Sequence, residues 1–379
     1  MFKGVATVAA ALLFCQVAWV GAVTFTVTKL DDTNDGSCDA DCSLREAVIA
    51  ANNSAGLDEI LLPPGTIVYS IAGTGEDAAE TGDLNILDSV DIIGNPAQGT
   101  AVDADELDRV FQVTGASTVA TFENLTIRNG LSGGSAAGID IARATVILRN
   151  VFITSNVANP GGGGGALWVD LFASLTLENS TVAGNSPNEV RISQSDMVAT
   201  NSTIGLGSGS TGGNGIVVGG GGTVSLTNVT VYRDPPTKDP ITAFNPSTVT
   251  LRDSILRGEC FIGAGVVVIS EGGNTESPGM GGSSTCELIQ ATDQVVDHAG
   301  IQLLDFNGGL TPTHGLASSS PAVGGAFHCP PPITDQRDQP RTDGDCDSGS
   351  LEVQPTDDFP IFTDDFESGD TSAWSSSAP

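Results

Sequence analysis

The residues of this chain best placed by number to do chemistry are its carboxylates. Its 379 residues carry 46 acidic against 14 basic side chains, a formal net charge of −32. Two loops concentrate the acids: Asp31-Asp32-Thr33-Asn34-Asp35, and a D-G-D-C-D-S-G run holding Asp343, Asp345 and Asp347. Alternate Asp side chains in a tight loop converge on one hard cation, as in the first half of an EF-hand loop. Calcium is therefore the one metal the sequence invites, with Asp343, Asp345, Asp347, Asp31 and Asp35 as ligands. The bidentate Glu that completes such a loop is not at its spacing, so solvated acidic turns are the competing reading. No other cofactor is expected. A surface this acidic repels nucleic acid and anionic membrane.

The cysteines are the second reactive group. Met1 to Ala22 reads as a secretory signal, with Lys3 at its start, an apolar core from Val5 to Val20 and Val20-Gly21-Ala22 at the cleavage site. Cys15 falls in that core after the bulky Phe14, so it is read as part of the signal and not as a lipid anchor. This leaves Cys38, Cys42, Cys260, Cys286, Cys329 and Cys346. Six cysteines in an exported chain imply up to three disulfides. Closeness in sequence favours Cys38–Cys42, Cys260–Cys286 and Cys329–Cys346. Zinc is the rival, but His298, His314 and His328 lack ligand spacing with cysteine pairs. No second apolar stretch is long enough to span a membrane.

What would position these groups is a repeat. F-E-N-L-T-I, L-R-N-V-F-I, L-E-N-S-T-V, A-T-N-S-T-I, L-T-N-V-T-V and L-R-D-S-I-L align on Asn124, Asn150, Asn179, Asn201, Asn228 and Asp253. The spacing averages about 26 residues, within the range of stacked repeat architectures. Apolar residues stand four and two before each anchor, which is strand periodicity. The next apolar position is three after it, so the alternation breaks and the chain bends there. Asn tolerates left-handed backbone at a bend and can hydrogen-bond along a stack of identical neighbours. The six anchors are therefore expected to form an inward ladder. Second apolar strands follow at Ile139-Asp140-Ile141, Leu167-Trp168-Val169, Val190-Arg191-Ile192 and Ile216-Val217-Val218. Two or three short strands per period fit a parallel β-helix. Ser43-Leu44-Arg45-Glu46 is a capping box opening a helix whose Leu44, Ala47, Val48 and Ala51 would cover the first rung.

Set on that frame, the acids make a poor active site. Glycoside hydrolysis needs two converging carboxylates; a uronate lyase needs a calcium cluster and a base. Glu123 and Glu178 share a column two rungs apart, and Asp234 and Glu259 stand equally far past neighbouring anchors, with Asp234 running into Pro235-Pro236. Arg128, Arg149 and Arg252 read as solvated strand faces, and Trp168 as packing. No catalytic residue is assigned.

The run C-S-L-R-E-A at Cys42–Ala47, after the acidic D-T-N-D-G-S-C segment, resembles the CSLREA-domain family of secreted bacterial β-helix proteins. T-G-D-L-N-I (81–86), D-I-I-G-N (91–95) and L-D-R-V-F-Q-V (107–113) are similar to that family's first coils. L-T-P-T-H-G-L (310–316), S-S-P-A-V (319–323), D-Q-R-D-Q-P-R (335–341) and D-C-D-S-G-S-L-E (345–352) are similar to its closing module. Gly324-Gly325 departs from the Asp-x-Gly the family carries after S-P-A. The resemblance covers about 23–353 and implies a right-handed solenoid, with no reaction attached. The acidic 355–379 segment resembles a C-terminal sorting tail of exported proteins and equally reads as a disordered tail.

The expectation is an all-β, right-handed parallel β-helix (solenoid) with a short N-terminal capping helix. Its divisions are a signal at 1–22, cap and first coils at 23–118, rungs at 119–300, a closing module at 301–354 and a tail at 355–379. The functional expectation is a monomeric, secreted scaffold, extracellular or attached to the bacterial outer surface, engaging a glycan or surface protein in the manner of an adhesin. A polysaccharide lyase or hydrolase is the alternative, and a structural surface protein the second.

Overall fold

The structure is a computed structural model that describes residues 21–159, 163–205, 213–233, 238–278, 283–328, 330–341 and 344–357. Residues 1–20 of the expected signal and 358–379 of the expected tail lie outside the described residues, as do Asp234, Cys329 and Asp343. Almost every described element is a strand, and the one helix, α1, spans Leu44–Asn52.

The strands stack as a parallel β-solenoid with three sheets. Sheet A, before each anchor, climbs through Thr24–Thr26, Asp58–Leu61, Val90–Ile93, Val119–Glu123, Thr145–Arg149 and Ser174–Glu178 to Val267–Gly272. Sheet B, after the anchor, runs from Gly65–Val68 through Thr126–Arg128 and Phe152–Thr154 to Gln294–Val295. Strands Asp196–Gly205 and Thr223–Tyr232 pass through the bend and belong to both. Sheet C holds eight strands from Leu84–Ile86 to Phe261–Ile262, and includes all four second strands read from the sequence.

Alternate residues of each strand fill a continuous apolar interior, Val146, Leu148, Leu175, Leu177, Leu226 and Leu251 among them. The solenoid must stop at both ends or leave an open strand edge. At the front α1 does this. Leu44, Ala47, Val48 and Ala51 are buried, and both halves of the Ser43/Glu46 capping box form. Each residue of C-S-L-R-E-A has a structural task here. Cys42 is bonded to Cys38, Arg45 grips the Asp32 carboxylate bidentately at 2.7 and 3.1 Å, and Glu46 also holds Thr33 and the Asp35 amide. Cys260–Cys286 is the second disulfide, tying the last coil. Cys346 is also disulfide-bonded, and its expected partner Cys329 lies outside the described residues.

Candidate functional site

The anchors bend the chain as expected: Asn124, Asn150, Asn179, Asn201, Asn228 and Asp253 all have φ between 46° and 57°. Their side chains, however, do not form an inward ladder. A left-handed residue inside a strand interrupts the in–out alternation, so the anchor turns outward and the residue after it turns in. The buried column is therefore Leu125, Val151, Ser180, Ser202, Val229 and Ser254. Its polar members do the laddering, because Ser180 Oγ accepts from Val151 N, Ser202 Oγ from Ser180 N, and Ser254 Oγ from Val229 N. Among the anchors only Asn150 donates to a neighbour in the column, Asn124 Oδ1 at 3.1 Å.

The later anchors are covered by the chain's own closing module. Asn179 donates to Asp338, Asn201 to Thr334 O at 2.8 Å and Asn228 to Asp347 O, while Asp253 accepts from Phe327 N at 2.7 Å. The module is itself held by buried ions, with Arg341 donating to Glu352 at 2.8 Å and Arg337 to Asp335 at 2.9 Å. Asp347, an expected calcium ligand, accepts instead from the Gly324 and Val353 amides through its two oxygens. Asp345 is exposed beside it, and Asp31 and Asp35 are exposed on either side of the buried Asp32. Among the described residues no three His, Cys, Asp or Glu side chains are grouped to hold a metal. At the module's edge, Asn124 and Asn150 line a shallow depression of about 170 Å³ with Asn95, Thr100 and the module's own Leu310.

The carboxylates do converge, but at positions to which the sequence attached no chemistry. Asp83, Asp108 and Asp140 surround Arg109 near the start of sheet C. Arg109 Nη1 meets Asp140 Oδ2 at 2.8 Å, while its Nε stands 3.0 Å from Asp83 Oδ2 without hydrogen-bond alignment. Burial pushes the Asp83 carboxyl up to about 7, against the opposing pull of Arg109. Within the rungs, Glu123 and Glu178 are separated by Arg149, which pairs with Glu178 at 2.7 Å. Arg128 likewise meets Asp103 at 2.8 Å, so these two are ion-paired and not simply solvated. Trp168 carries Arg191 on its face, 5.2 Å from the ring centroid. Deeper in, Glu189 is fully buried with Arg233 and Asn185, and burial raises its carboxyl while Arg233 pulls it down.

The outer face of sheet A differs from all of this. On five successive rungs its first two outward columns read Thr145, Ser174, Asp196, Thr223, Thr248 and Ile147, Thr176, Val198, Ser225, Thr250. Seven of the ten are hydroxyls and one is charged, in a chain at −32. The lone Asp196 accepts from the Thr223 hydroxyl. Neighbouring rungs lie roughly 4.8 Å apart, so the hydroxyls form a regular, uncharged lattice. The closing module touches none of the ten in any hydrogen bond, and Val198 is 48% exposed.

No protein-family model matches the chain, and no curated protein matches it. Among solved structures, the crystal structure of pectate lyase Pel9A is similar over 89% of this chain and 98% of that one, at 13% identity and a TM-score of 0.39. So distant a likeness carries nothing about activity. The class is set by the strand pairing: a parallel β-solenoid, closed at the front by a helix. Among the described residues no helix is long and apolar enough to cross a membrane.

Proposed function

We propose that this chain is an exported β-solenoid scaffold, of the CSLREA type it resembles, that uses the outer face of sheet A to hold a neutral extracellular glycan in the manner of an adhesin. The observation that carries this is the hydroxyl lattice. Sugar hydroxyls exchange hydrogen bonds with Thr and Ser, and ring C–H faces pack on the Thr methyls, Ile147 and Val198. A neutral polymer avoids the repulsion that a polyuronate would meet at net charge −32. The disulfides Cys38–Cys42 and Cys260–Cys286, with Cys346 also disulfide-bonded, suit an oxidising compartment. The test is a glycan array and a pull-down on insoluble neutral polysaccharides, with assays for reducing ends and unsaturated products alongside. Retention without product release is the expected result; release of unsaturated products from a uronate would replace this reading.

One observation favours a second reading, an acid–base enzyme acting on a polysaccharide. Asp83 at about 7 is poised for proton transfer at neutral pH. Against it, Asp83 is only 3% exposed and its neighbour Arg109 is shared by two further acids. Substituting Asp83→Asn would abolish any polysaccharide cleavage under this reading and leave retention intact.

A further inference from the structure

The two ends of the stack are finished differently. The front is sealed by α1, whereas the last rung of sheet A, Val267–Gly272, pairs with Thr248–Arg252 on one side and, among the described residues, with no strand on the other. In a parallel strand successive residues present their amide and carbonyl to opposite neighbours. Val267 N is bonded back to Ser247 O, so the backbone groups of Val268 point outward from the stack. The loop from Cys286 covers only the far part of this rung, through Ser270 to Asp293 and Gly273 to Thr292. Leu288 tucks under it, while Ile289 is 82% exposed.

The surface beside that edge is apolar and acid-rimmed. Phe261 is 50% exposed and its ring meets Phe244, with Val267 and Ile269 also exposed. Ile262, Val266 and Val268 are half-buried and continue the interior. Glu259, Glu271 and Glu287 stand exposed around them, and no Lys or Arg occurs between Arg257 and Arg337. An unpaired edge with alternating pockets is what strand addition uses: backbone bonds give affinity and side-chain pockets give selectivity.

We propose that this open rung binds an extended polypeptide strand of a partner protein, in which aliphatic residues alternate with Lys or Arg. The strand continues sheet A past Val268 while its basic side chains meet Glu271, Glu287 and Glu259. A second copy of this chain is disfavoured, because it would bring the same carboxylates face to face. The site adjoins the hydroxyl columns, whose next rung is Val267 and Ile269, but peptide binding at the edge does not require a glycan on them.

The test uses the full chain with a fluorescent synthetic peptide alternating valine and lysine, and a control alternating valine and glutamate. Anisotropy should rise for the lysine peptide only, and its affinity should fall as salt is added. Glu271→Lys with Glu287→Lys should weaken the lysine peptide at least tenfold, with an unchanged thermal melt. Val268→Pro should do the same by removing an outward N–H. Equal binding of both peptides, no binding of either, or full binding by the charge-reversed variant would overturn the proposal. So would a dimer in light scattering that the peptide does not dissociate.

Discussion

Two outward surfaces of one coil lie side by side and are treated oppositely. From Asn179 onward the bend strip is covered by the closing module through hydrogen bonds from nearly every rung: Asn179, Thr181, Thr203, Asn228, Thr230 and Asp253 all take part. The module brings its own buried charges with it, Arg341 and Arg337 paired to Glu352 and Asp335. The first two outward columns of sheet A on the same rungs carry one charge, Asp196, and stay open, the charged Glu178 and Arg252 standing in the column next to the bend. Where the chain binds itself it uses polar groups that must be satisfied once buried. Where it is left bare, it presents groups that tolerate water and pair with a neutral partner. Occupied and vacant surfaces can thus be told apart by how their hydrogen bonds are satisfied.

The strongest way to break that contrast is to loosen the module. Arg341→Met takes the buried Glu352 carboxylate's cation away while leaving it the Asp347 amide, and should cost about 3–5 kcal/mol. Hydrogen exchange should then rise at the bend amides near Thr181, Thr203 and Thr230, while strands Val119–Glu123 and Thr145–Arg149 keep their protection. Uniform loss along the coil would mean that the module is part of the core and not a cover.

A finer probe compares anchors inside and outside the cover. Asn201 is buried and bonded to Thr334 O, whereas Asn150 is half-buried with only Asn124 for a partner. Both give up a left-handed conformation that Asn tolerates and Leu resists. Asn201→Leu should cost about 1 kcal/mol more than Asn150→Leu, the worth of one buried hydrogen bond. Chemical denaturation yielding equal losses would erase the distinction between the two halves of the strip.

Asp83 tests whether the ion cluster on sheet C is structural. Burial raises its carboxyl from 3.8 to about 7, so the folded state holds the proton more tightly than the unfolded chain. The stability this confers is complete below the unfolded value and is lost as pH rises through about 7. Asp83→Asn, which mimics the protonated form, should melt with the wild type near pH 3 and above it at pH 8, by a few degrees. A wild type more stable than the variant at pH 8 would show that the Arg109 pairing outweighs burial.

Much of the architecture was legible because it is periodic. The break in alternation around each Asn located the bend, and the spacing of Ser43 and Glu46 located α1. What the repeat could not show was which way the anchor points. The Ser ladder hides in a column where Leu125, Val151 and Val229 alternate with serine, so no polar pattern stands out. The docking of residues 311–350 onto residues 179–253 joins segments 74 to 159 residues apart, and no local signal encodes it. Asp83 stands in T-G-D-L-N-I and Asp108 with Arg109 in L-D-R-V-F-Q-V, but these and Asp140 come from three successive coils at unequal spacing, so neither motif shows that they meet. The sheet A face was in plain view as T-x-T and S-x-T pairs, but alternating hydroxyls are also what any exposed strand carries.

The account stands or falls on that face. Retention on insoluble neutral polysaccharide should be measured for the wild type, for Thr223→Glu with Thr250→Glu on sheet A, and for Val217→Glu on the outer face of sheet C. All three should melt within about 0.5 kcal/mol of one another, since surface changes of this kind cost little. The account predicts that the wild type and Val217→Glu are retained and the sheet A variant is not. Equal retention of all three, or none for the wild type on any neutral polysaccharide, would contradict it.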